Sequence, residues 1–200
     1  MRILVFLLFS AIFLGKLQAQ ENLRFGFQVS PSFSRMHTTD PGIHPAGTNL
    51  GLKMGILGEY YFRENYALSG GIGFFFNTGG TLLYDKSGTY WPGTGLDTLP
   101  AQVRLKYNLQ YLEIPFGLKM RTREFGYLRY FLEPGISLAI RTRANGHISG
   151  PGLSNQDNAI NISNELNALL LTVGIGGGVE YSINDSLSLI GGLFFRSGFT

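Results

Sequence analysis

The chain has 200 residues, of which 28 are glycine and none is cysteine, and its formal net charge is +3. Charged residues make up 14% against about 25% in typical soluble domains, which disfavours intrinsic disorder and ordinary soluble helical domains. The 44% of hydrophobic residues suits strands with one apolar face, and the lack of cysteine excludes a disulfide framework, a thiolate metal site and a lipid-modified N-terminal cysteine.

The chain begins with the pattern of a secretory signal peptide. Arg2 precedes an almost unbroken apolar run from Ile3 to Gly15, and the small residue Ala19 lies just before the expected cleavage site. The run is too short for a spanning helix, which needs about 20 apolar residues. We therefore expect residues 1–19 to be a signal peptide that is cleaved between Ala19 and Gln20.

The rest of the chain, residues 20–200, is expected to form a single domain. Removal of the signal peptide takes away Arg2 and Lys16, so the net charge falls from +3 to +1. No cluster of basic residues interleaved with aromatics remains, so the sequence does not indicate a nucleic-acid partner.

Seven segments of this domain alternate apolar and polar residues. Successive side chains of a strand point to opposite faces, so each segment predicts a strand with one apolar face. In the fourth segment the apolar residues change parity, which predicts a β-bulge near Tyr111. The seven segments are 23–34, 50–63, 66–77, 102–121, 128–141, 169–181 and 187–199.

The connections between these strands alternate between long and short. The long ones are 35–48, 78–101 and 142–166, and the short ones are 63–65, 121–126 and 182–186. This alternation is typical of an antiparallel up-and-down transmembrane β-barrel, with long loops outside the cell and short turns in the periplasm. A soluble barrel, with its apolar face inside, is the alternative that periodicity alone leaves open.

The polar face favours the membrane barrel, because it carries ionisable residues beside the glycines. A dry core could not hold them without great cost, whereas inside a small barrel they can pair and hydrate. Aromatic residues also gather at the short turns, as in the girdles of outer-membrane barrels. The residues predicted to face the lumen are Lys53, Glu59, Glu113, Lys119, Arg129, Glu133, Arg141, Glu180 and Arg196.

Eight strands enclose an interior just wide enough for side chains to fill it. We therefore expect the lumen charges to form a plug of ion pairs. The pairs expected first join Glu113, Glu133 and Glu180 to Lys119, Arg129 and Arg196.

The stretch Tyr111-Leu112-Glu113-Ile114-Pro115-Phe116-Gly117-Leu118-Lys119 resembles the strand signature of PorT-like outer-membrane β-barrel proteins. Weaker similarity lies in Pro134 to Ser137 and in Gly174 to Tyr181. The resemblance covers essentially the mature chain and implies an eight-stranded barrel in the outer membrane of a Gram-negative cell. Most members of the family lack an assigned activity, and its namesake is tied to a secretion apparatus.

The sequence departs from that family pattern in its strand count. Seven strands are countable, whereas a closed bacterial barrel needs an even number. An open edge would expose unpaired backbone groups to lipid, at several kcal/mol each. We therefore expect an eighth strand and interpret these 200 residues as a C-terminally truncated copy of a longer product.

The remaining candidate residues lie in predicted loops. The histidines His37, His44 and His147 lack metal-ligand spacing. The triplet His147-Ile148-Ser149 is similar to the His-x-Ser arrangement of lipid A deacylases, but we interpret it as a chance match.

A second loop feature is an aromatic cluster of Tyr84, Tyr90, Trp91 and Pro92. Rigid aromatic side chains provide contact area at low entropic cost. The cluster either contacts a glycan or protein partner or packs on itself over the barrel mouth.

The sequence as a whole predicts an integral outer-membrane barrel that is not an enzyme and needs no cofactor or metal. Its expected partners are the lipid of the outer membrane and a protein or glycan at the external loops, in a structural, adhesive or complex-forming role. Passage of small solutes or lipids is the alternative, and lipid A modification is the third.

Overall fold

The computed structural model describes residues 22–94, 98–151, 153, 159–184 and 186–199, so the signal peptide and its cleavage site lie outside the described residues. The described chain forms one curled antiparallel sheet, which confirms the predicted all-β up-and-down fold. Its wall strands are, in spatial order, β1 (Leu23–Arg35), β2 (Ile43–Arg63), β3 (Tyr66–Tyr84), β4 (Val103–Arg121), β5 (Leu128–Ser149), β7 (Leu169–Asn184) and β8 (Leu187–Phe199).

Three short elements lie in the long connections. The two-residue strand β6 (Ile160–Asn161) pairs with β5, and two 3-10 turns cover Pro92–Thr94 and Ser163–Glu165. The wall therefore contains the seven strands that the sequence predicts, with β1 and β8 at its two ends. Within the described residues, no helix is long and apolar enough to cross a membrane.

The long connections are shorter than predicted, because three wall strands continue into them. β2 begins at Ile43, β3 continues to Tyr84 and β5 continues to Ser149. Ile43 is paired with Tyr84, so the extensions stay in register with one another. The sequence pattern missed them because their apolar side chains face the inside of the sheet instead of the outside.

A β-bulge is present near Tyr111, as predicted, but the two faces of β4 do not exchange there. Side chains at odd positions face the interior along the whole strand, from Val103 to Arg121. The ladder does shift at Gln110 and Tyr111, but the extra residue is Thr142 of the neighbouring strand β5. What changes near Tyr111 is the chemistry of the two faces. On the side of the long connections the inward side chains of β4 are apolar and the outward ones polar, and on the side of the short turns the reverse holds.

The wall therefore has two tiers. In the lower tier, towards the short turns, the outward face is apolar and the inward face is polar. In the upper tier, towards the long connections, the inward face is apolar and the outward face of β4 and β5 is polar. One outward residue per strand marks the apolar belt of the lower tier, each at least 50% exposed: Phe27, Ile56, Ile72, Phe116, Ile136, Ile175 and Phe195.

Candidate functional site

The first group of interior charges centres on Glu113 of β4, whose side chain is 1% exposed. Its Oε2 lies 2.6 Å from Nζ of Lys53 on β2, and its Oε1 is bound by the guanidinium of Arg196 on β8. Glu133 of β5 belongs to the same region and accepts a hydrogen bond of 2.5 Å from the hydroxyl of Ser69. We call Lys53, Glu113, Glu133 and Arg196 the Glu113 cluster.

The second group, nearer the short turns, centres on the buried ammonium of Lys119. Its Nζ lies 2.7 Å from Oε1 of Glu59 and also pairs with Glu180 of β7. Arg121 Nη1 lies 3.6 Å from the second oxygen of Glu180. We call Glu59, Lys119, Arg121 and Glu180 the Lys119 cluster.

Aromatic side chains complete the Lys119 cluster. The hydroxyl of Tyr61 donates a hydrogen bond of 2.6 Å to Oε2 of Glu59. The guanidinium of Arg121 lies 4.0 Å from the centre of the Tyr61 ring, and Lys119 Nζ lies 4.7 Å from that of Phe131. Each of these cations therefore makes a cation–π contact with one ring.

Each cluster contains as many carboxylates as cations, so neither carries a formal net charge. An unpaired buried charge costs several kcal/mol, whereas a paired and hydrogen-bonded one is tolerated. Glycines provide the space, since a Cβ at Gly117 would clash with both the Ser69 hydroxyl and the Glu133 carboxylate. The clusters therefore place matched charge in the lower interior.

The structure brings together most of the predicted lumen residues, but not in every expected pair. Glu113 meets Arg196, and Glu180 meets Lys119. Arg129 instead pairs with Glu124 beside a short turn.

Arg141 lies above both clusters. Its guanidinium donates hydrogen bonds to backbone carbonyls of the connection between β5 and β7, among them those of Ser163 and Asn167. These hydrogen bonds hold the connection against the wall. In the described part of the chain, Arg141 forms no ion pair with a carboxylate.

Sequence reasoning missed Arg121, Tyr61 and Ser69. Each lies on the polar parity of its strand, since Arg121 follows Lys119 by two positions and Tyr61 follows Glu59 by two. All three lie inside the predicted strand segments, so counting every hydrogen-bonding side chain of the polar parity would have included them.

The upper tier contains an apolar core centred on Trp91, which is 2% exposed. Its ring packs edge-on against Tyr107 at 5.5 Å, and its Nε1 donates a 3.3 Å hydrogen bond to the Tyr107 hydroxyl. That hydroxyl also lies 2.9 Å from the hydroxyl of Tyr84. A Cβ at Gly146 would overlap the Trp91 ring, so the glycine makes room for it.

Of the two interpretations of the aromatic cluster, this geometry favours packing over the barrel mouth. Tyr84 and Trp91 are buried, and the Tyr90 ring lies 4.1 Å from that of Tyr84. Pro92 is exposed.

Two of the three histidines are not in loops, contrary to the prediction. His44 belongs to β2, where its Nε2 lies 2.8 Å from Asp85 Oδ2, and His147 belongs to β5 opposite Lys106. Only His37 lies between strands. Within the described ranges, no group of three or more His, Asp or Glu residues is placed to hold a metal ion.

Residues 18–199 match the family model of the outer membrane protein beta-barrel domain. The chain therefore belongs to this family, and the family implies a location in the outer membrane. Searches of curated proteins and of solved structures found no match.

Proposed function

We propose that the protein is a non-enzymatic, integral barrel of a Gram-negative outer membrane that acts as a structural, adhesive or complex-forming element. The short turns face the periplasm, and the upper tier with the long connections lies outside the cell. The motif from Tyr111 to Lys119 supports the PorT-like branch of the family, and with it a role in a secretion-associated complex.

One observation carries this proposal: the lower tier has an apolar belt on its outward face, and the charged side chains in its interior neutralise one another. The belt residues are exposed although they are large and apolar, which suits contact with acyl chains. The Glu113 and Lys119 clusters join β4 through the interior to β2, β7 and β8, which are not its direct neighbours in the sheet, so the wall is internally braced. A braced and filled interior suits a rigid support for external loops better than a passage for solutes.

Orientation can be tested by cysteine labelling, because the chain contains no cysteine. Ser87→Cys lies in a long connection and Ser186→Cys in a short turn, and both positions are exposed. In intact cells, a membrane-impermeant maleimide should label Ser87→Cys only, and both should react once the outer membrane is permeabilised. Labelling of Ser186→Cys alone in intact cells would contradict the proposed orientation.

Conductance in planar bilayers separates a support from a passage. The whole gene product should give no steady ion current, whereas the triple variant Lys53→Ala, Glu113→Ala, Arg196→Ala should give one because it removes three of the four charged side chains of the Glu113 cluster. A steady current through the unmodified protein would favour solute passage instead. The control Arg63→Ala, Glu64→Ala, Arg123→Ala changes the same charges at exposed positions near the short turns and should stay silent.

The enzymatic alternative depends on His147 and Ser149. Both lie in β5, paired with Lys106 and Arg104 of β4. We expect the acyl number of lipid A to be the same in cells with and without the protein. A loss of acyl chains that depends on Ser149 would overturn the non-enzymatic proposal.

A further inference from the structure

The outward face of β4 and β5 changes character directly above the apolar belt. The last outward apolar pair is Leu112 with Ile140, and the next outward pair is Gln110 with Arg143. Further up, Lys106 lies opposite His147 and Arg104 opposite Ser149. The exposed cations Arg104, Lys106 and Arg143 form what we call the outer basic patch.

In the described ranges, the strand segments beside this patch do not neutralise its charge. Residues 102–110 and 142–151 contain no Asp or Glu. On the other flank, the residues of β3 opposite Lys106 and Arg104 are Thr81 and Leu83. In the part of the chain that the structure describes, none of the three cations forms an ion pair, in contrast to the matched charges of the interior.

Two acidic side chains at this end of the molecule, Asp85 and Glu165, have other partners among the described residues. Asp85 accepts hydrogen bonds from Gln102 and contacts His44. Glu165, in the second 3-10 turn, accepts a hydrogen bond of 2.7 Å from the backbone N–H of Gly93. Among the described residues, the patch therefore presents three cations without an ion pair, in a column that rises from the edge of the apolar belt.

We propose that the outer basic patch binds the phosphorylated headgroup of a glycolipid in the membrane leaflet next to the long connections. This inference rests on the orientation given under Proposed function. A residue rises about 3.3 Å along a strand, and strands tilt by about 40° in such barrels, so Arg143 lies within one residue pair of the acyl-chain boundary. Long basic side chains also extend back towards that boundary.

The chemistry of the three side chains suits this ligand. A guanidinium binds phosphate through two parallel hydrogen bonds, and a lysine ammonium adds a compact positive charge. The polar outward residues between them, Asn108 and Asn145, can donate hydrogen bonds to sugar hydroxyls. A lipid headgroup is favoured over an acidic protein because the column begins where lipid contact ends and contains no aromatic side chain that could anchor a protein.

The test measures binding of defined lipids to the purified whole gene product in uncharged detergent micelles. Diphosphoryl lipid A should bind and raise the thermal midpoint of the protein, with an affinity that falls as salt is added. Dephosphorylated lipid A should give no such shift, and neither should inorganic pyrophosphate at the same concentration. Equal shifts by both lipids would overturn the role of phosphate, and an equal shift by pyrophosphate would show an anion site that does not select lipid.

Variants assign the binding to the patch. The triple variant Arg104→Gln, Lys106→Gln, Arg143→Gln should bind diphosphoryl lipid A at least about tenfold more weakly, since each basic residue near an anionic surface contributes a severalfold gain. The control Arg63→Gln, Lys86→Gln, Arg123→Gln removes the same charge at exposed positions elsewhere. Equal losses in both variants, or a loss in neither, would overturn the proposal.

A further arm separates this inference from the proposed function. An acidic soluble peptide that binds as tightly as diphosphoryl lipid A would instead indicate a protein partner. Because binding is measured in micelles, it can fail while cysteine labelling still supports the orientation. A different outcome is labelling of Ser186→Cys alone in intact cells together with phosphate-dependent binding. The orientation would then be wrong and the phosphate site would lie in the periplasmic leaflet, which contradicts the proposal.

Discussion

Lys53 and Glu113 lie on strands that are not neighbours, and their 2.6 Å ion pair crosses over Gly73 of β3. Gly73 is paired with Glu113 in the ladder. A Cβ at this glycine would lie 3.5 Å from Cε of Lys53 and 3.8 Å from Oε2 of Glu113. The glycine thus leaves just enough room for the pair to close above it.

This geometry predicts a size limit at position 73. Gly73→Ala should change the free energy of unfolding by less than about 1 kcal/mol, because the added methyl group makes ordinary contacts. Gly73→Leu should cost about 3 kcal/mol, since it overpacks the interior and separates the charges. Urea unfolding in lipid vesicles measures both, and equal stability of the two variants would contradict the proposed fit.

The two partners of Glu113 predict unequal effects of single substitutions. Glu113→Ala should destabilise the protein by about 3–5 kcal/mol, because it leaves the buried Lys53 and the half-buried Arg196 without their shared carboxylate. Lys53→Met should cost less, since Arg196 still neutralises Glu113.

A double-mutant cycle checks the coupling between these residues. The double variant should be less destabilised than the sum of the single variants, by about 0.5–3 kcal/mol. Arg63→Met combined with Glu64→Ala is the exposed control, and it should show no measurable coupling. Additive losses for Lys53 and Glu113 would mean that their contact adds nothing to stability.

The upper tier predicts a distinctive fluorescence, because Trp91 is the single tryptophan of the chain. In vesicles its emission should be blue-shifted and protected from acrylamide, since the ring is buried. Brominated acyl chains should not quench it, because its core lies above the apolar belt.

The control for this measurement is Trp91→Phe combined with Phe116→Trp. Phe116 is 56% exposed on the lipid-facing side, so a tryptophan there should be quenched by brominated lipid. Quenching of Trp91 itself would place the upper tier in the bilayer and contradict the two-tier description.

Tyr84 predicts a loss of stability in strong alkali. Its position is in the upper tier, outside the membrane-spanning part, where burial first and the hydrogen bond with Tyr107 second raise its pKa above the usual 10.0. The folded state therefore holds its proton more tightly than the unfolded state, so this contribution is complete below pH 10 and declines as the pH rises further.

The measurement is Trp91 fluorescence across alkaline unfolding, compared with Tyr84→Phe. The variant lacks the ionisable hydroxyl, so its unfolding midpoint should depend less on pH above about 10 than that of the unmodified protein. The same alkaline decline in both proteins would assign the effect to other groups.

Much of the lower tier could be predicted from the sequence, because it depends on a local rule. Residues such as Ile56 and Phe116 alternate with Lys53, Glu113 and Lys119, and alternation decides which face each side chain occupies. The same rule misplaced the upper tier, where Leu105 and Tyr107 are apolar and yet face inwards. Alternation reveals two faces but does not say which of them meets lipid, water or the interior.

Strand geometry repeats every two residues, so the alternation along the chain is enough to predict an antiparallel wall with charged residues on its glycine-rich face. The folded chain was needed to see that Glu113 takes partners from both β2 and β8, and that Trp91 closes a separate core above the belt. These contacts depend on how far the sheet curls and on which residues face each other across it. Curvature and register arise from the whole set of paired strands, so no single segment encodes them.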